Sequence, residues 1–309
     1  MSNQPQDETK QPPPSPSTET TTTVTTSNMY LSTHLIVPYF ITAGGEIKRP
    51  EHLIAWWSRI FSFYVPDDKD RIELRYLCRL FRDALKPPPL HTTFPHPNYW
   101  ALNKLVDKLN NVYKEDPNKA PKIVFVAQGT FQNNTNGKVY IDYPMKIIGA
   151  GQNKTILSSY AFYIGGKKEK GQRVVLQHLT LANGFSQNVL YNNNGLSFLC
   201  YRMTITKGHT NGVYVYNARG RFRNCVITEC GGSGILCYKN ALVELEGNQT
   251  KVEWNGTRGG GFGLCTYFSS SRIHLLFPLT KESVSTNNGG NGNYGGIMGG
   301  SIKTVDSFA

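Results

Sequence analysis

The chain has 309 residues, of which 39% are hydrophobic, and this length allows one large folded domain or two modest ones. Its formal net charge of +12 favours an acidic partner. No apolar run is long enough to span a membrane, and the N-terminus lacks the basic start and apolar middle of a secretory signal. We therefore expect a cytoplasmic or nuclear protein without a membrane partner. The six cysteines form no C-x-x-C pair and have no histidine at zinc-site spacing, so we expect no metal and no other cofactor.

Residues 1–28 form the first segment and consist mainly of Pro, Thr, Ser and Gln. A segment of this composition buries too little apolar area to offset the conformational entropy of an ordered chain. The sequence therefore predicts a disordered tail over residues 1–28.

Apolar residues recur with helical spacing in residues 29–95. Pro50 stands where it can open a first helix, whose apolar positions begin at Leu53. A second helix carries apolar side chains at i, i+3, i+4, i+7 and i+11 from Leu74, and three prolines from Pro87 end it. Two short amphipathic helices of this kind predict a small helical module.

The module carries a proline-led start at Pro50, a centre Arg-Ile-Phe-Ser-Phe at 59–63 and an end Leu-Cys-Arg-Leu-Phe at 77–81. In this order and spacing it resembles an F-box. The resemblance implies docking to the Skp-type adaptor protein of a cullin ubiquitin ligase complex. The residues that the motif assigns to this contact are Pro50, Leu53, Ile60, Phe61, Leu77 and Phe81. A helical pair that only packs on the following domain is the alternative.

Residues 96–120 predict a third helix followed by a linker. The apolar face of this helix consists of Tyr99, Leu102, Leu105, Val106, Leu109 and Val112. The repeat that follows this helix predicts a solenoid, and the first coil of a solenoid has an open hydrophobic end. An amphipathic helix at this point in the chain can cover that end. We interpret the helix as a cap.

An internal repeat occupies residues 121–309. Triplets that alternate apolar and polar residues begin 24, 22, 25 and 23 residues apart, at Leu179–Leu181, Met203–Ile205, Cys225–Ile227, Thr250–Val252 and Ile273–Leu275. A second series places tyrosines 25, 22 and 29 residues apart, at Tyr191, Tyr216, Tyr238 and Tyr267. A period in the low twenties with short strands and no helix predicts a right-handed parallel β-helix. A leucine-rich repeat would need dense leucines, and a β-sandwich would show no vertical register of like residues.

The first coil begins with Ile123–Phe131, which has the form Ile-x-Phe-Val-x-x-Gly-x-Phe, and continues through Met145–Gly151, which ends in Ile-Ile-Gly-Ala-Gly. These strings resemble the opening coil of pectin-lyase-like β-helix proteins, and the resemblance extends to about Leu276. Together with the helical module, the chain resembles F-box proteins whose substrate-receptor domain is a right-handed parallel β-helix. The Gly- and Asn-rich stretch beyond Lys281 predicts a loose last coil or a flexible tail.

Carboxylates suited to catalysis are few in the repeat. Lyases of this fold need several carboxylates to hold calcium and a basic residue to abstract a proton, and glycosidases need a carboxylate pair at a set separation. Residues 122–309 contain two aspartates and six glutamates, of which only Glu229 and Glu253 are expected as neighbours on adjacent coils. Exposed turn glutamates in a basic solenoid are typical of a solvated surface. The sequence therefore predicts that the protein is not an enzyme.

Basic residues supply the candidate binding surface. Residues 1–121 hold 14 Lys and Arg against 13 Asp and Glu, whereas residues 122–309 hold 19 against 8. Two adjacent coils carry the basic surface proposed from sequence: Arg202, Lys207, Arg219, Arg221 and Arg223. Guanidinium groups fork onto phosphate or carboxylate groups, so we expect this surface to bind an acidic or phosphorylated target protein.

Two functions are thus open. The leading interpretation is a substrate receptor in which the F-box-like helices dock the adaptor and the β-helix holds the target. The alternative is a carbohydrate-binding or carbohydrate-active β-helix with a helical N-terminal cap. Nucleic acid is a third class of partner, and it is not expected because the chain contains no recognisable reading motif.

Overall fold

A computed structural model describes residues 90–134, 137–184 and 188–306. The two helices predicted for the F-box-like module, with the adaptor-binding residues predicted between Pro50 and Phe81, lie outside these residues, as does the predicted N-terminal tail. The described helices are α1 (Leu102–Glu115) and α2 (Lys281–Val284). The described strands are β1 (His91–Phe94), β2 (Ile123–Val126), β3 (Gly129–Gln132), β4 (Lys138–Ile141), β5 (Lys146–Ile148), β6 (Thr155–Ser158), β7 (Ala161–Ile164), β8 (Arg173–Gln177), β9 (Thr180–Ala182), β10 (Asn188–Asn193), β11 (Ser197–Tyr201), β12 (Thr204–Thr206), β13 (Asn211–Tyr216), β14 (Arg219–Arg223), β15 (Val226–Thr228), β16 (Ile235–Tyr238), β17 (Leu242–Glu246), β18 (Lys251–Glu253), β19 (Leu264–Tyr267), β20 (Arg272–Leu276), β21 (Ser285–Thr286), β22 (Tyr294–Ile297) and β23 (Ser301–Val305).

The strands form three sheets, which we call faces 1, 2 and 3. Face 1 has the order β1-β2-β5-β8-β11-β14-β17-β20-β23, face 2 the order β3-β6-β9-β12-β15-β18-β21, and face 3 the order β4-β7-β10-β13-β16-β19-β22. All of these neighbours pair in parallel. Successive strands visit the three faces in turn, so the protein is mainly β and winds as a parallel β-helix. The right-handed sense of winding stays a prediction.

Like residues stack in the core, one coil above the next. One buried column of face 2 consists of Leu181, Ile205, Ile227 and Val252, which are in register and 0% exposed. This confirms the alignment of the first four sequence triplets. The fifth triplet, Ile273–Leu275, was aligned wrongly, because it lies in β20 on face 1, where Ile273 pairs with Val243. The face 2 column continues instead to Ser285. The misalignment arose because strands on two faces share the same alternation of apolar and polar residues.

Single residues in the left-handed conformation turn the chain at many of the described corners of the solenoid. Arg202 turns it from face 1 to face 2 with φ 48°, and Lys207 turns it from face 2 to face 3 with φ 57°. Asn217, with φ 46°, turns it back to face 1. These positions aim their side chains away from the core, so the corners and the outward strand positions are where surface chemistry can vary.

Helix α1 packs against β4 of the first coil. Its apolar side, which includes Leu102, Leu105 and Val106, is buried in the common core. The amide of Asn110 fixes the helix by donating to the carbonyl of Tyr140 at 2.7 Å. No helix among the described residues is long and apolar enough to cross a membrane.

Candidate functional site

Face 3 carries a row of outward tyrosines that we call the tyrosine ladder. Its members are Tyr140, Tyr163, Tyr191, Tyr214, Tyr216, Tyr238 and Tyr267. Tyr140, Tyr163, Tyr191 and Tyr214 follow one column, and Tyr216 begins a second column two residues further along the strand. Strand positions two apart share a face, so both columns face outward.

The ladder extends over six coils with nearly constant spacing. Ring centroids are 5.1 Å apart between Tyr140 and Tyr163, and 5.2 Å apart in the next two steps up to Tyr214. Tyr214 joins the two columns through Tyr238 at 6.2 Å, and Tyr267 continues the second column at 5.2 Å. The spacing follows from the distance between neighbouring strands, roughly 4.8 Å.

Between Tyr191 and Tyr267 the ring faces of the ladder are covered by neighbouring rings, whereas Tyr140 and Tyr163 are inclined by 36°. Tyr191 and Tyr214 are inclined by only 14°, and Tyr238 and Tyr267 by 18°, so each pair is stacked. Stacking along the solenoid axis leaves ring edges and hydroxyl groups toward solvent. Because the edge of an aromatic ring carries partial positive charge and a phenol hydroxyl donates, this outer surface suits a negatively charged ligand.

Three lysines lie along the ladder. The Lys138 ammonium is 5.6 Å from the ring centre of Tyr163, and the Lys239 ammonium is 5.2 Å from that of Tyr216. A hydrogen bond with Tyr216 raises the pKa of Lys239 above its ordinary value, so this side chain stays charged at neutral pH. Lys168 donates to the side chain of Asn194 at 2.8 Å, and also to the carbonyl of Asn217, which directly follows Tyr216. Positive charge therefore accompanies the ladder over several coils.

Sequence reasoning missed the lower half of the ladder and its lysines. Tyr140 and Tyr163 are 23 residues apart, which is one coil, and this spacing was a usable signal. The alignment of Tyr191 with Tyr216 was wrong by two residues, because Tyr191 pairs with Tyr214 and Asn193 with Tyr216. The error arises because Tyr214 and Tyr216 have the same pattern of neighbours in the sequence.

The basic surface predicted from sequence occupies face 1 and two corners. Arg221 donates to Glu244 at 2.9 and 3.0 Å, and Arg223 lies 3.6 Å from Glu246 on the same neighbouring strand. Lys207 lies 3.7 Å from Glu229 at the next corner. These glutamates occur one coil after their basic partners, 23 residues later on face 1, and balance part of the positive charge. Arg202 stacks over Tyr201 at 5.2 Å, and Arg219 is exposed at the start of β14. Binding of a target protein by this surface stays a prediction.

The carboxylates behave as their spacing predicts. Thr228 pairs with Glu253, which confirms that Glu229 and Glu253 lie on adjacent coils. Glu229 occupies the corner position below Trp254, and its side chain is half exposed. Within residues 90–134, 137–184 and 188–306, no three His, Cys, Asp or Glu side chains are grouped as a metal site would require.

No family model and no curated protein matches the chain. Among solved structures the chain is similar to the mannuronan C-5 epimerase AlgE4 A-module from Azotobacter vinelandii, with 7% identity and a TM-score of 0.27 over 70% of this chain and all of that one. That structure is an enzyme, so the prediction from sequence that this protein is not an enzyme is contradicted, and we do not retain it. At this TM-score, no residue role, substrate or reaction of that protein is assigned to this chain. What is established is the architecture, a mainly β chain with three parallel sheets.

Proposed function

We propose that the protein binds a linear glycan of uronic acid units, which lies along the solenoid axis on the tyrosine ladder. The observation that carries the proposal is the periodic row of phenol groups accompanied by Lys138, Lys168 and Lys239. Binding of the glycan is the step that the ladder supports, whether or not a reaction follows it.

Periodicity supports a repeating ligand. The ladder presents seven hydroxyl groups over six coils, two of them on β13 and one on each other coil, a length of about 25 Å at the spacing of neighbouring strands. A polyuronate presents one carboxylate per sugar along an extended chain, and successive carboxylates can accept from phenol and ammonium donors. A compact anion would engage only one or two of these donors.

The geometry also separates a glycan from a single-stranded nucleic acid. Proteins that bind single strands without a reading motif offer free aromatic faces on which bases stack. The faces of Tyr191, Tyr214, Tyr238 and Tyr267 are already covered by each other. From Tyr191 to Tyr267 the ladder therefore offers hydrogen bonds and charge but little stacking surface, which favours the polyuronate.

Isothermal titration calorimetry of the full-length chain with oligogalacturonates of increasing length tests the proposal. Affinity should increase with length until the oligomer spans the ladder, and methyl esterification of the carboxylates should remove binding. A variant with Lys138, Lys168 and Lys239 all replaced by Ala should bind about tenfold more weakly, since exposed ion pairs contribute modestly to affinity.

A matched variant removes the same charge from the basic surface predicted from sequence, by replacing Lys207, Arg219 and Arg223 with Ala. It should bind the oligomer like the wild-type protein. Absence of binding, or an equal loss in both triple variants, would contradict the proposal, because the latter would show a response to net charge alone.

A second proposal rests on Leu77–Phe81, the Leu-Cys-Arg-Leu-Phe stretch of the F-box-like module. We propose that this module docks a Skp-type adaptor through Pro50, Leu53, Ile60, Phe61, Leu77 and Phe81, which would make the β-helix the target-binding part of a ubiquitin ligase. The test is capture of the full-length chain on purified adaptor, compared with a Leu77→Asp/Phe81→Asp variant. Circular dichroism controls for folding. Failure of the folded wild-type protein to bind removes this proposal and leaves the glycan proposal untouched.

A further inference from the structure

An exposed tryptophan interrupts a polar corner of the solenoid. Trp254 follows β18 at the corner between faces 2 and 3, with φ 57°, and is 54% exposed. The equivalent corners of neighbouring coils hold Lys207, Glu229 and Asn287, with φ 57°, 56° and 54°. Left-handed corner residues are common in this solenoid, but of these four Trp254 alone is apolar, and about half of its surface is exposed. Burial in the core therefore does not explain the tryptophan at this corner.

The indole borders a groove of about 530 Å³, within the range of roughly 300–1,000 Å³ that is typical of small-molecule sites. The groove is lined by Glu229, Trp254, Asn255, Thr257, Asn287 and Gly289. Asn255 is buried and forms a fixed wall, whereas Glu229, Thr257 and Asn287 are exposed. The groove thus combines the indole ring of Trp254 with three exposed hydrogen-bonding side chains.

The indole differs from the ladder tyrosines in one respect that decides what it can bind. Among the described residues, no aromatic ring stacks on Trp254, whereas Tyr238 and Tyr267 cover each other. Because Trp254 is also 54% exposed, it offers ring surface to a ligand.

We propose that this groove binds a single neutral hexopyranose. The apolar C–H face of the sugar packs on the indole of Trp254, and its hydroxyl groups donate to the Glu229 carboxylate and exchange hydrogen bonds with Thr257 and Asn287. The sugar is neutral because the Glu229 carboxylate disfavours an acid, while the Lys207 ammonium, 3.7 Å from it, offsets the attraction for an amine. The site is separate from the tyrosine ladder and differs from it in ligand charge.

The test uses the full-length, ¹⁵N-labelled chain and the indole N–H signals of its four tryptophans. The signal that the Trp254→Asn variant lacks belongs to Trp254. The probes are methyl β-D-glucopyranoside, methyl β-D-galactopyranoside and methyl α-D-mannopyranoside. At least one should shift the Trp254 signal saturably. Asn suits the left-handed corner, so Trp254→Asn should keep the fold and the melting temperature.

Ligand-observed NMR then compares affinities. The Trp254→Asn variant should bind the shifting glycoside about tenfold more weakly or worse, and Glu229→Gln should also bind more weakly. Trp100→Ala, which removes a tryptophan that is 70% exposed elsewhere, should bind like the wild-type protein. The proposal is overturned if no glycoside shifts the Trp254 signal, or if Trp254→Asn binds as well as the wild-type protein. The triple lysine variant of the ladder should keep this site, so the two proposals fail independently.

Discussion

Replacing Asn255 with Ala should remove one of the main polar links between coils. Asn255 is 0% exposed, and its side-chain oxygen accepts from the backbone N–H of Cys230 at 3.1 Å. Its side-chain nitrogen donates at 3.0 Å to the carbonyls of Ile227 and Glu253 and to the side chain of Asn288. The variant loses one accepted bond and both side-chain N–H donors. At about 1 kcal/mol for each bond, the free energy of unfolding should fall by about 3 kcal/mol, and more if the Cys230 N–H stays unpaired.

A loss of this size lowers the melting temperature by about 6–12 °C for a domain of this length. Thermal unfolding followed by circular dichroism measures the shift, and hydrogen exchange resolved by mass spectrometry should place the loosened amides in the coils around Asn255. The control is Asn248→Ala, which changes an exposed asparagine of the same coil and should shift stability by about 0.5 kcal/mol or less. Equal melting temperatures for the two variants would refute the reasoning that Asn255 ties these coils together.

The tyrosine ladder, one packed glycine and the buried thiols supply three further predictions. Burial, helped by neighbouring tyrosines, raises the pKa of Tyr214 to about 12, so ultraviolet titration should show a phenolate step there that Tyr214→Phe lacks. Because the folded pKa exceeds the ordinary value of 10.0, the neutral phenol stabilises the folded protein. This contribution is complete below pH 10 and is lost as the pH rises to about 12. A Cβ on Gly220 would lie 2.2 Å from Cζ of Phe198, so Gly220→Ala should lower the free energy of unfolding in urea by about 1–3 kcal/mol. The control is Gly260→Ala, whose Cβ would have no atom within 4 Å and which should be nearly neutral. Similar unfolding midpoints for both variants would contradict this packing. Burial raises the pKa of the Cys225 thiol to about 12, so iodoacetamide should label it only after unfolding, and labelling in the native protein would show that the core is open.

The repeat period predicted the fold because a solenoid stacks residues one coil apart. The column from Leu181 to Val252 could be aligned from sequence alone, since each coil contributes one apolar residue at nearly constant spacing. The position of Ile273–Leu275 could not be assigned, because alternation identifies a strand but not the face to which it belongs. The F-box-like helices predicted between Pro50 and Pro87 lie outside the described residues and stay a prediction.

The candidate sites were harder to predict because coils differ in length at their corners. The chain between β18 and β19 is longer than that between β15 and β16, and this extra length shapes the groove beside Trp254. Sequence identified the arginines of face 1 but did not pair Arg221 with Glu244, although one coil separates them. In a solenoid, charge must be evaluated between positions one period apart before a basic patch is inferred.

Hydroxyl-radical footprinting of the full-length chain, with and without a saturating oligogalacturonate, tests most directly whether the glycan lies on the tyrosine ladder. We predict protection that includes Tyr140, which is 44% exposed, and Tyr267 at the other end of the ladder, with no change at Trp254 or at Tyr201 on face 1. Protection of Tyr201 without protection of the ladder would place the glycan on the basic surface and contradict the account.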